Sequence, residues 1–299
     1  MSSSPSFTMT RAGALGAIVE GLDLGKPLPE ETFDALRHAL AANEVLFFPD
    51  QDLGGDEQLA LARRFGEPSL YPIEKLFGAD APGFQVIVDD EENPPEVDLW
   101  HTDVTWLERP PALAILAALE MPAWGGDTMW ASTTAAYEAL SPAMQKLLDG
   151  LECAHSCHGD FVEIAERKSG IEGLGDRIKG AYPPVHQPLV RTHPETGKRS
   201  LYVTDRGVMH EIVGLPKDES DAILDFLDAH VDQPRFQVRW RWTPGEVAIW
   251  DERTTLHRAV ADHYPQRRVV RRCTVDGEVP FFDPARAPDP RYARAGEAR

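Results

Sequence analysis

The chain has 299 residues, enough for one domain or at most two, and its hydrophobic content of 42% and charged content of 26% are ordinary for a globular protein. A formal net charge of −19 argues against nucleic acid and anionic membrane surfaces as partners, since both need basic patches, and it obliges any anionic substrate to find a local cationic pocket. The cysteines Cys153, Cys157 and Cys273 read as buried free thiols of a reducing compartment; without a basic leader before an apolar run, or a stretch of membrane-spanning length, the expected location is cytoplasmic.

Residues 1–8 read as frayed. AGALGAIVEGLDL is a glycine-punctuated strand region, PEETFDALRHALAAN has helical periodicity with acids in its first turn, and VLFFP reads as a buried strand stopped by Pro49. DEQLALARRFG is a second amphipathic helix, ended by Gly66. FQVIVD (84–89) and LAILAALE are strands, followed by the turn PAWGGD, the strand TMWAS, and YEALSPAMQKLLDGL, helical with a break at Pro142. Residues 157–186, mixed in charge and rich in glycine, are the least regular part; an insert of this kind in a compact domain is either disordered or a lid. THPETGKR turns between the strands LVR and LYVT, KDESDAILDFLDAHV is a capped amphipathic helix, and FQVRWRW alternates, with Phe236, Val238, Trp240 and Trp242 on one face. The tail from about 283 is expected to be flexible. With no internal repeat and no linker, 1–299 reads as one domain, mainly β with flanking helices, built on a sandwich or barrel core.

A His-x-carboxylate pair on a strand directs both side chains to one face, within reach of one ion, and a distant histidine completes the facial triad that suits non-haem Fe(II). The pair alone says little: 10 histidines and 49 acids among 299 residues give about 1.6 such pairs by chance. Four occur. His230/Asp232 ends a helix, where the dipole explains the histidine; His193/Glu195 sits in a turn; His158/Asp160 opens the irregular insert. His101/Asp103 lies in LWHTDVTW, an apolar and β-branched run that can form a rigid strand. The competing explanation makes His101 a core histidine and Asp103 a turn-capping carboxylate.

His257 is the candidate third member. WDERTTLHRAVADHYPQRRVVRRCTV reads as a β-hairpin turning near Tyr264, which brings residues near 270 opposite His257 and puts Arg268, Val270 and Arg272 on one face. Two guanidinium groups then bracket one imidazole, a metal ligand beside two anion clamps. Arg267 and Arg271, on the opposite face, read as a solvated stripe. The tryptophans read as core. No phosphate-binding glycine loop, Gly-x-Ser-x-Gly elbow or His-Glu-x-x-His helix occurs.

WHTDVTW, GGDTMWAS, YEALS, HPETGKR, FQVRWRWTPGEVAIWD and the segment from His257 to Arg272 together resemble the taurine dioxygenase family of Fe(II)/2-oxoglutarate-dependent oxygenases, over roughly residues 8–282. The resemblance implies a double-stranded β-helix (jelly roll) with helices packed outside, and Fe(II), 2-oxoglutarate and O2 as cofactor and cosubstrates. His101, Asp103 and His257 match the iron ligands, Thr128 and Arg268 the residues that hold the distal carboxylate of 2-oxoglutarate, and Arg272 the arginine that grips the sulfonate of the substrate. The family's dimers and tetramers make a homodimer or homotetramer an expectation for this chain.

Departures fall in the substrate pocket. Tyr71 stands where a histidine is expected, Val97 replaces an asparagine, Val208 replaces a phenylalanine, and Glu252 stands in place of the usual asparagine after Trp-Asp; Val104 joins Tyr71, Val97 and Val208 as a pocket residue. These changes imply a less polar substrate than taurine, still with a sulfonate, sulfate ester or carboxylate terminus for Arg272. The expected reaction is hydroxylation of a small anionic molecule, an alkylsulfonate or alkyl sulfate, to an aldehyde plus sulfite or sulfate, under a lid formed by 157–186. The alternatives are the same chemistry on a carboxylate, such as a phenoxyalkanoate or amino-acid derivative, and a non-catalytic metal-binding jelly-roll module.

Overall fold

The computed structural model describes residues 7–78, 83–95 and 98–294. Its strands are β1 (Thr8–Arg11), β2 (Ala17–Glu20), β3 (Val45–Phe48), β4 (Gln85–Asp89), β5 (Pro111–Glu120), β6 (Thr128–Ser132), β7 (Glu152–His155), β8 (Val185–Pro188), β9 (Val190–Thr192), β10 (Arg199–Leu201), β11 (Met209–Ile212), β12 (Gln237–Trp240), β13 (Val247–Asp251), β14 (Thr255–Ala259) and β15 (Arg268–Asp276). The helices are α1 (Glu30–Asn43), α2 (Gly55–Phe65), α3 (Pro72–Leu76), α4 (Thr133–Glu138), α5 (Pro142–Leu148), α6 (Asp160–Ser169), α7 (Leu174–Ala181) and α8 (Lys217–Val231). The protein is mostly β with helices outside.

A seven-stranded sheet runs β1-β2-β3-β13-β5-β15-β4, antiparallel apart from the β2/β3 pair. VLFF and PALAILAALE are continuous apolar runs because this sheet is covered on both faces. Leu46, Phe48, Leu113, Ile115, Ala117, Val247, Ile249, Cys273 and Val275 meet α1 and α2 through Phe33, Leu36, Leu40 and Leu61. The alternate residues, Val45, Phe47, Ala114, Leu116, Ala118, Ala248, Trp250 and Val270, meet Trp130 of β6 and Val238 of β12. Those two strands belong to a three-stranded sheet ordered β12-β6-β14, so the second core lies between the two sheets. Phe47 stacks on Trp240 with centroids 4.1 Å apart, and Trp130 packs edge-on to Phe47, Trp242 and Trp250. A third core joins β7, β9, β10 and β11 to α4 and α8.

The expected hairpin from His257 to Arg272 does not form. β14 pairs with β6 in the small sheet, whereas β15 pairs with β5 and β4 in the large one. Only short turns fix which strands pair; the longer link 260–267 leaves each strand to find the layer its apolar residues fit. The facing of β15 is as expected all the same: Val270 enters the core between the sheets, and Arg271 points the other way, to α2. Arg271 is no solvated residue, since its Nε donates to Gln58 Oε1 at 2.7 Å and its Nη2 to the Leu53 carbonyl. Arg267 is exposed and pairs with Asp90 and Glu120.

The insert 157–186 is more regular than its composition suggests, because α6 and α7 pack against each other and against α3 around Trp106, Cys157, Val162, Leu174 and Ile178. α8 begins without a side-chain cap. The described part of the tail lies on α1: Tyr292 stacks on His38 at 4.5 Å, and Arg294 donates to the carbonyls of Ala14, Ala42 and Asn43. Among the described residues no helix is long and apolar enough to cross a membrane.

Trp130 is wholly buried at the meeting of the two sheets. Trp130→Ala is expected to cost about 3–5 kcal/mol of unfolding free energy through lost transfer and a residual cavity, measured by urea titration; a loss below about 1 kcal/mol would mean that the contact between the sheets is not a principal core.

Candidate metal centre

His101 reaches β14 through its backbone. Its N–H donates to the His257 carbonyl at 3.0 Å and its carbonyl accepts from the His257 N–H at 2.7 Å, an isolated antiparallel bridge on the edge of β14 that β6 leaves open. Directly opposed residues of such a pair project to the same side, and the two imidazole centroids are 4.1 Å apart. Past Thr102 the chain leaves the strand. LWHTDVTW is therefore a loop for most of its length, contrary to the strand expected from its β-branched residues, and Val104 sits at φ 43°, in the left-handed region. A β-branched residue held there costs on the order of 1–3 kcal/mol, and such strain gathers where surrounding contacts over-determine the backbone.

Those contacts are specific. Gln187 Nε2 donates to the carbonyls of Thr105 at 2.9 Å and Leu107 at 2.8 Å, and His155 Nδ1 lies 2.8 Å from Thr105 Oγ1. Thr102 Oγ1 lies 2.6 Å from Glu252 Oε2 and 2.9 Å from the Glu252 carbonyl, and the Asp103 N–H donates to Oε2 at 3.1 Å. Side-chain bonds of this kind offer the backbone an alternative to a strand ladder.

The loop presents Asp103 to both histidines. Its Oδ1 is 3.8 Å from His101 Nε2 and 3.9 Å from His257 Nε2, and ligand atoms of all three residues lie within 4.8 Å of one another. Three perpendicular donors about 2.1 Å from an ion are about 3 Å apart, so the carboxylate–imidazole separations of 3.8 and 3.9 Å have to close by less than about an ångström to hold a small divalent cation. His101 Nδ1 is 3.0 Å from the Leu99 carbonyl, which assigns its proton to Nδ1 and leaves the Nε2 lone pair inward. Burial pushes Asp103 up, but the Arg272 guanidinium and the two imidazoles outweigh it and hold the carboxyl below its ordinary value. Burial, with His101 and Arg272 adding to it, drives His257 well below 6.5, toward the neutral form a metal requires.

Arg272 Nη1 is 2.8 Å from Asp103 Oδ2, and its Nη2 donates to Gln85 at 2.9 Å. Its Nε is buried without a hydrogen-bond partner among the described residues. Tyr71, just ahead of α3, is close enough to feel both charges: desolvation pushes its hydroxyl up to about 12, with Arg272 lowering and Asp103 raising it. Val104 and Val208 pack against the cluster around Trp106, together with Phe161 and Tyr182 of the insert. Val97 lies outside the described residues.

Arg268 and Thr128 flank Gly126 and Asp127. Arg268 Nε donates to the Gly126 carbonyl at 3.0 Å, its Nη1 is 3.4 Å from Asp89 Oδ2, and Thr128 Oγ1 accepts from the Trp242 indole at 2.9 Å, leaving its own hydrogen to donate. Gly126 has φ 70°, and a Cβ there would come within 3.1 Å of Arg268 Cδ, so glycine lets the arginine pass. Burial lowers the Arg268 pKa and Asp89 opposes that shift.

The other histidine pairs do structural work. His193 Nε2 binds Asp251 at 3.0 Å while its Nδ1 accepts from the Glu195 and Thr196 N–H groups; His158 Nε2 meets the Tyr182 carbonyl at 2.8 Å, and His230 Nε2 the Ala136 carbonyl at 2.8 Å. Sequence reasoning noted Glu252 only as a departure and missed Gln187, His155 and Asp89. Glu252 had a signal: two consecutive acids closing a buried strand. The others had none.

Two imidazoles and one carboxylate on one side of a β core are the donor set of the non-haem iron oxygenases. The chain belongs to the family described as taurine catabolism dioxygenase TauD, TfdA, whose pattern residues 7–274 match. It is 36% identical over 270 residues to an alkylsulfatase of Acinetobacter baylyi, covering 89% of this chain and 84% of that one. It is 35% identical over 272 residues to an alpha-ketoglutarate-dependent sulfate ester dioxygenase of Pseudomonas putida, covering 90% and 89%. The crystal structure of a taurine dioxygenase from Burkholderia xenovorans superposes with a TM-score of 0.76 at 32% identity over 95% of each chain.

His155 buttresses the loop in its neutral form, because burial, reinforced by His210, depresses it to about 3 from 6.5. The unfolded chain then binds more protons below pH 6.5, so stability should fall as pH drops from about 6.5 toward 4, by about 1 kcal/mol per unit. His155→Gln should flatten that slope in urea titrations across this range, and an unaltered slope would show that His155 is not held neutral.

Proposed function

We propose that this chain is a single catalytic domain of double-stranded β-helix (jelly-roll) type, an Fe(II)- and 2-oxoglutarate-dependent dioxygenase that hydroxylates an alkyl sulfate ester or alkylsulfonate next to its sulfur-bearing head group. The observation that carries this is the Arg272 guanidinium on the Asp103 carboxylate at 2.8 Å, an anion clamp beside the metal donors.

His101, Asp103 and His257 would hold the iron. When bound with 2-oxoglutarate and O2, the metal supplies the oxidising power that exchanges a substrate C–H for C–OH, with succinate and CO2 as coproducts. Arg268 and Thr128 take the far carboxylate of the cosubstrate. Both are buried, so their bonds to it form away from competing water. Arg272 keeps N–H donors beyond those given to Asp103 and Gln85, among them an Nε without a partner among the described residues, to offer an incoming sulfo group, and Tyr71 lies on the same charge.

The apolar surface of Val104, Trp106, Val208 and the insert residues Phe161 and Tyr182 suits an alkyl chain better than the ammonium of taurine. Residues 157–186 cover this surface and exclude water from it. A hydroxyl placed on the carbon that bears the sulfo group collapses to an aldehyde, the C–O or C–S electrons leaving with sulfate or sulfite.

Succinate release with Fe(II), 2-oxoglutarate and O2 across taurine, longer alkylsulfonates, alkyl sulfates and phenoxy acids tests the assignment. Alkyl sulfates and long alkylsulfonates should give the highest kcat/KM, with the matching aldehyde and sulfate or sulfite, and Asp103→Ala should give none; a preference for phenoxy acids would move the substrate to carboxylates, and no turnover with any substrate would favour a binding module.

Arg268→Ala should raise the KM for 2-oxoglutarate by at least tenfold, since each lost charge-assisted bond is worth about 1.5–3 kcal/mol. An unchanged KM in initial-rate assays would place the cosubstrate elsewhere.

A further inference from the structure

Glu252 follows the last residue of β13 and is 1% exposed. Its backbone N–H donates to the Ala112 carbonyl at 2.9 Å, tying it to β5. Its Oε1 accepts from the Trp250 indole at 2.7 Å. Its Oε2 takes the Asp103 N–H at 3.1 Å, lies 2.6 Å from the Thr102 hydroxyl, and is 3.9 Å from His257 Nδ1. That nitrogen is buried and has no hydrogen-bond partner among the described residues, whereas Nε2 of the same ring faces Asp103.

The three side chains of the metal centre are therefore oriented from different sources. The Leu99 carbonyl holds the outer nitrogen of His101, and Arg272 holds the Asp103 carboxylate. For His257, the carboxylate that faces the outer nitrogen among the described residues is Glu252, at 3.9 Å, a small movement short of a hydrogen bond. A metal-bound imidazole almost always donates its other ring N–H, to a carboxylate, a backbone carbonyl or water. One buried carboxyl thus bonds the backbone of one ligand and lies 3.9 Å from the ring of another, from a strand of the large sheet that contributes no ligand itself.

We propose that Glu252 is a positioning residue of the metal centre, setting the Asp103 loop against His257 so that the donors meet one ion. This rests on the assignment of His101, Asp103 and His257 as ligands. The group must offer an acceptor at each of its oxygens, because the indole N–H of Trp250 and the backbone N–H of Asp103 are both donors. An amide has only one oxygen, so Glu252→Gln retains the volume and turns an NH2 against one of those two donors.

The test is titration of the metal-free full-length protein with Co(II), read by its ligand-field absorption, alongside the metal-free melting temperature. The unaltered protein should bind Co(II), and His257→Ala should not; if either fails, the ligand assignment itself is wrong, independently of Glu252. With that established, Glu252→Gln should weaken Co(II) binding by about 10–100-fold and change the ligand-field bands. Thr102→Val, which takes away one partner of the same carboxyl and spares every proposed ligand, should weaken binding in the same direction and serves if Glu252→Gln does not fold. Equal affinity and an identical spectrum in these variants would overturn the proposal. So would a loss of affinity that only tracks a lower melting temperature with the bands unchanged, since that assigns Glu252 to the scaffold alone.

Discussion

The two backbone hydrogen bonds between His101 and His257 make the site. They join a loop to the open edge of β14 and hold two imidazoles, remote in the chain, on one side of a strand pair with centroids 4.1 Å apart. A side-chain contact could drift with rotamer changes. A hydrogen-bonded backbone pair sets both Cα positions and both Cβ directions at once. Asp103 then needs only to turn back over the pair, and the strained backbone at Val104 shows where that turn is made.

The electrostatics follow from burial. Asp103 and Glu252 bring two carboxyl groups into a buried space, and Arg272 is the cation paired with Asp103. Glu252 is pushed up, by burial first and by the Asp103 charge second, while Asp103 is held down, Arg272 outweighing its burial. Two neighbouring carboxyls are thus driven apart in proton affinity, one kept anionic toward the histidines and the other bound to indole, hydroxyl and backbone donors. The same guanidinium retains an Nε without a partner among the described residues. In a chain of net charge −19, an anionic substrate reaches such a cation only through short-range contacts, because the exterior field opposes it at long range.

The large sheet explains why these groups hold still. Both of its faces are covered, by α1 and α2 on one side and by the small sheet on the other, so Arg268 and Arg272 emerge from a strand packed in its interior. Alternation along β15 sends Arg271 to Gln58 of α2 and Arg272 to Asp103, neighbours in sequence with unrelated tasks. The insert 157–186 adds an apolar wall whose packing runs from α3 to Val104. The family match and the superposed taurine dioxygenase agree with a mostly β chain of this kind.

Most elements were legible in the sequence, because apolar period and turn residues are local signals. The strands VLFF, LAILAALE and TMWAS, as short apolar runs, and the helices at 30–43, 55–65 and 217–231, by their period, carry those signals within single segments. The residue types of the site could also be named from motif and resemblance. Tertiary structure alone decided which strands pair: β14 and β15 are joined by a link too long to fix register, and each went to the sheet that its apolar face completes. It likewise turned a β-branched segment at 102–107 into a loop, through bonds from Gln187, His155 and Glu252 that no local pattern records. Residue identity and period are properties of neighbours along the chain, whereas the partners of a buried polar group are chosen by whatever the finished packing brings within 3 Å or so of it.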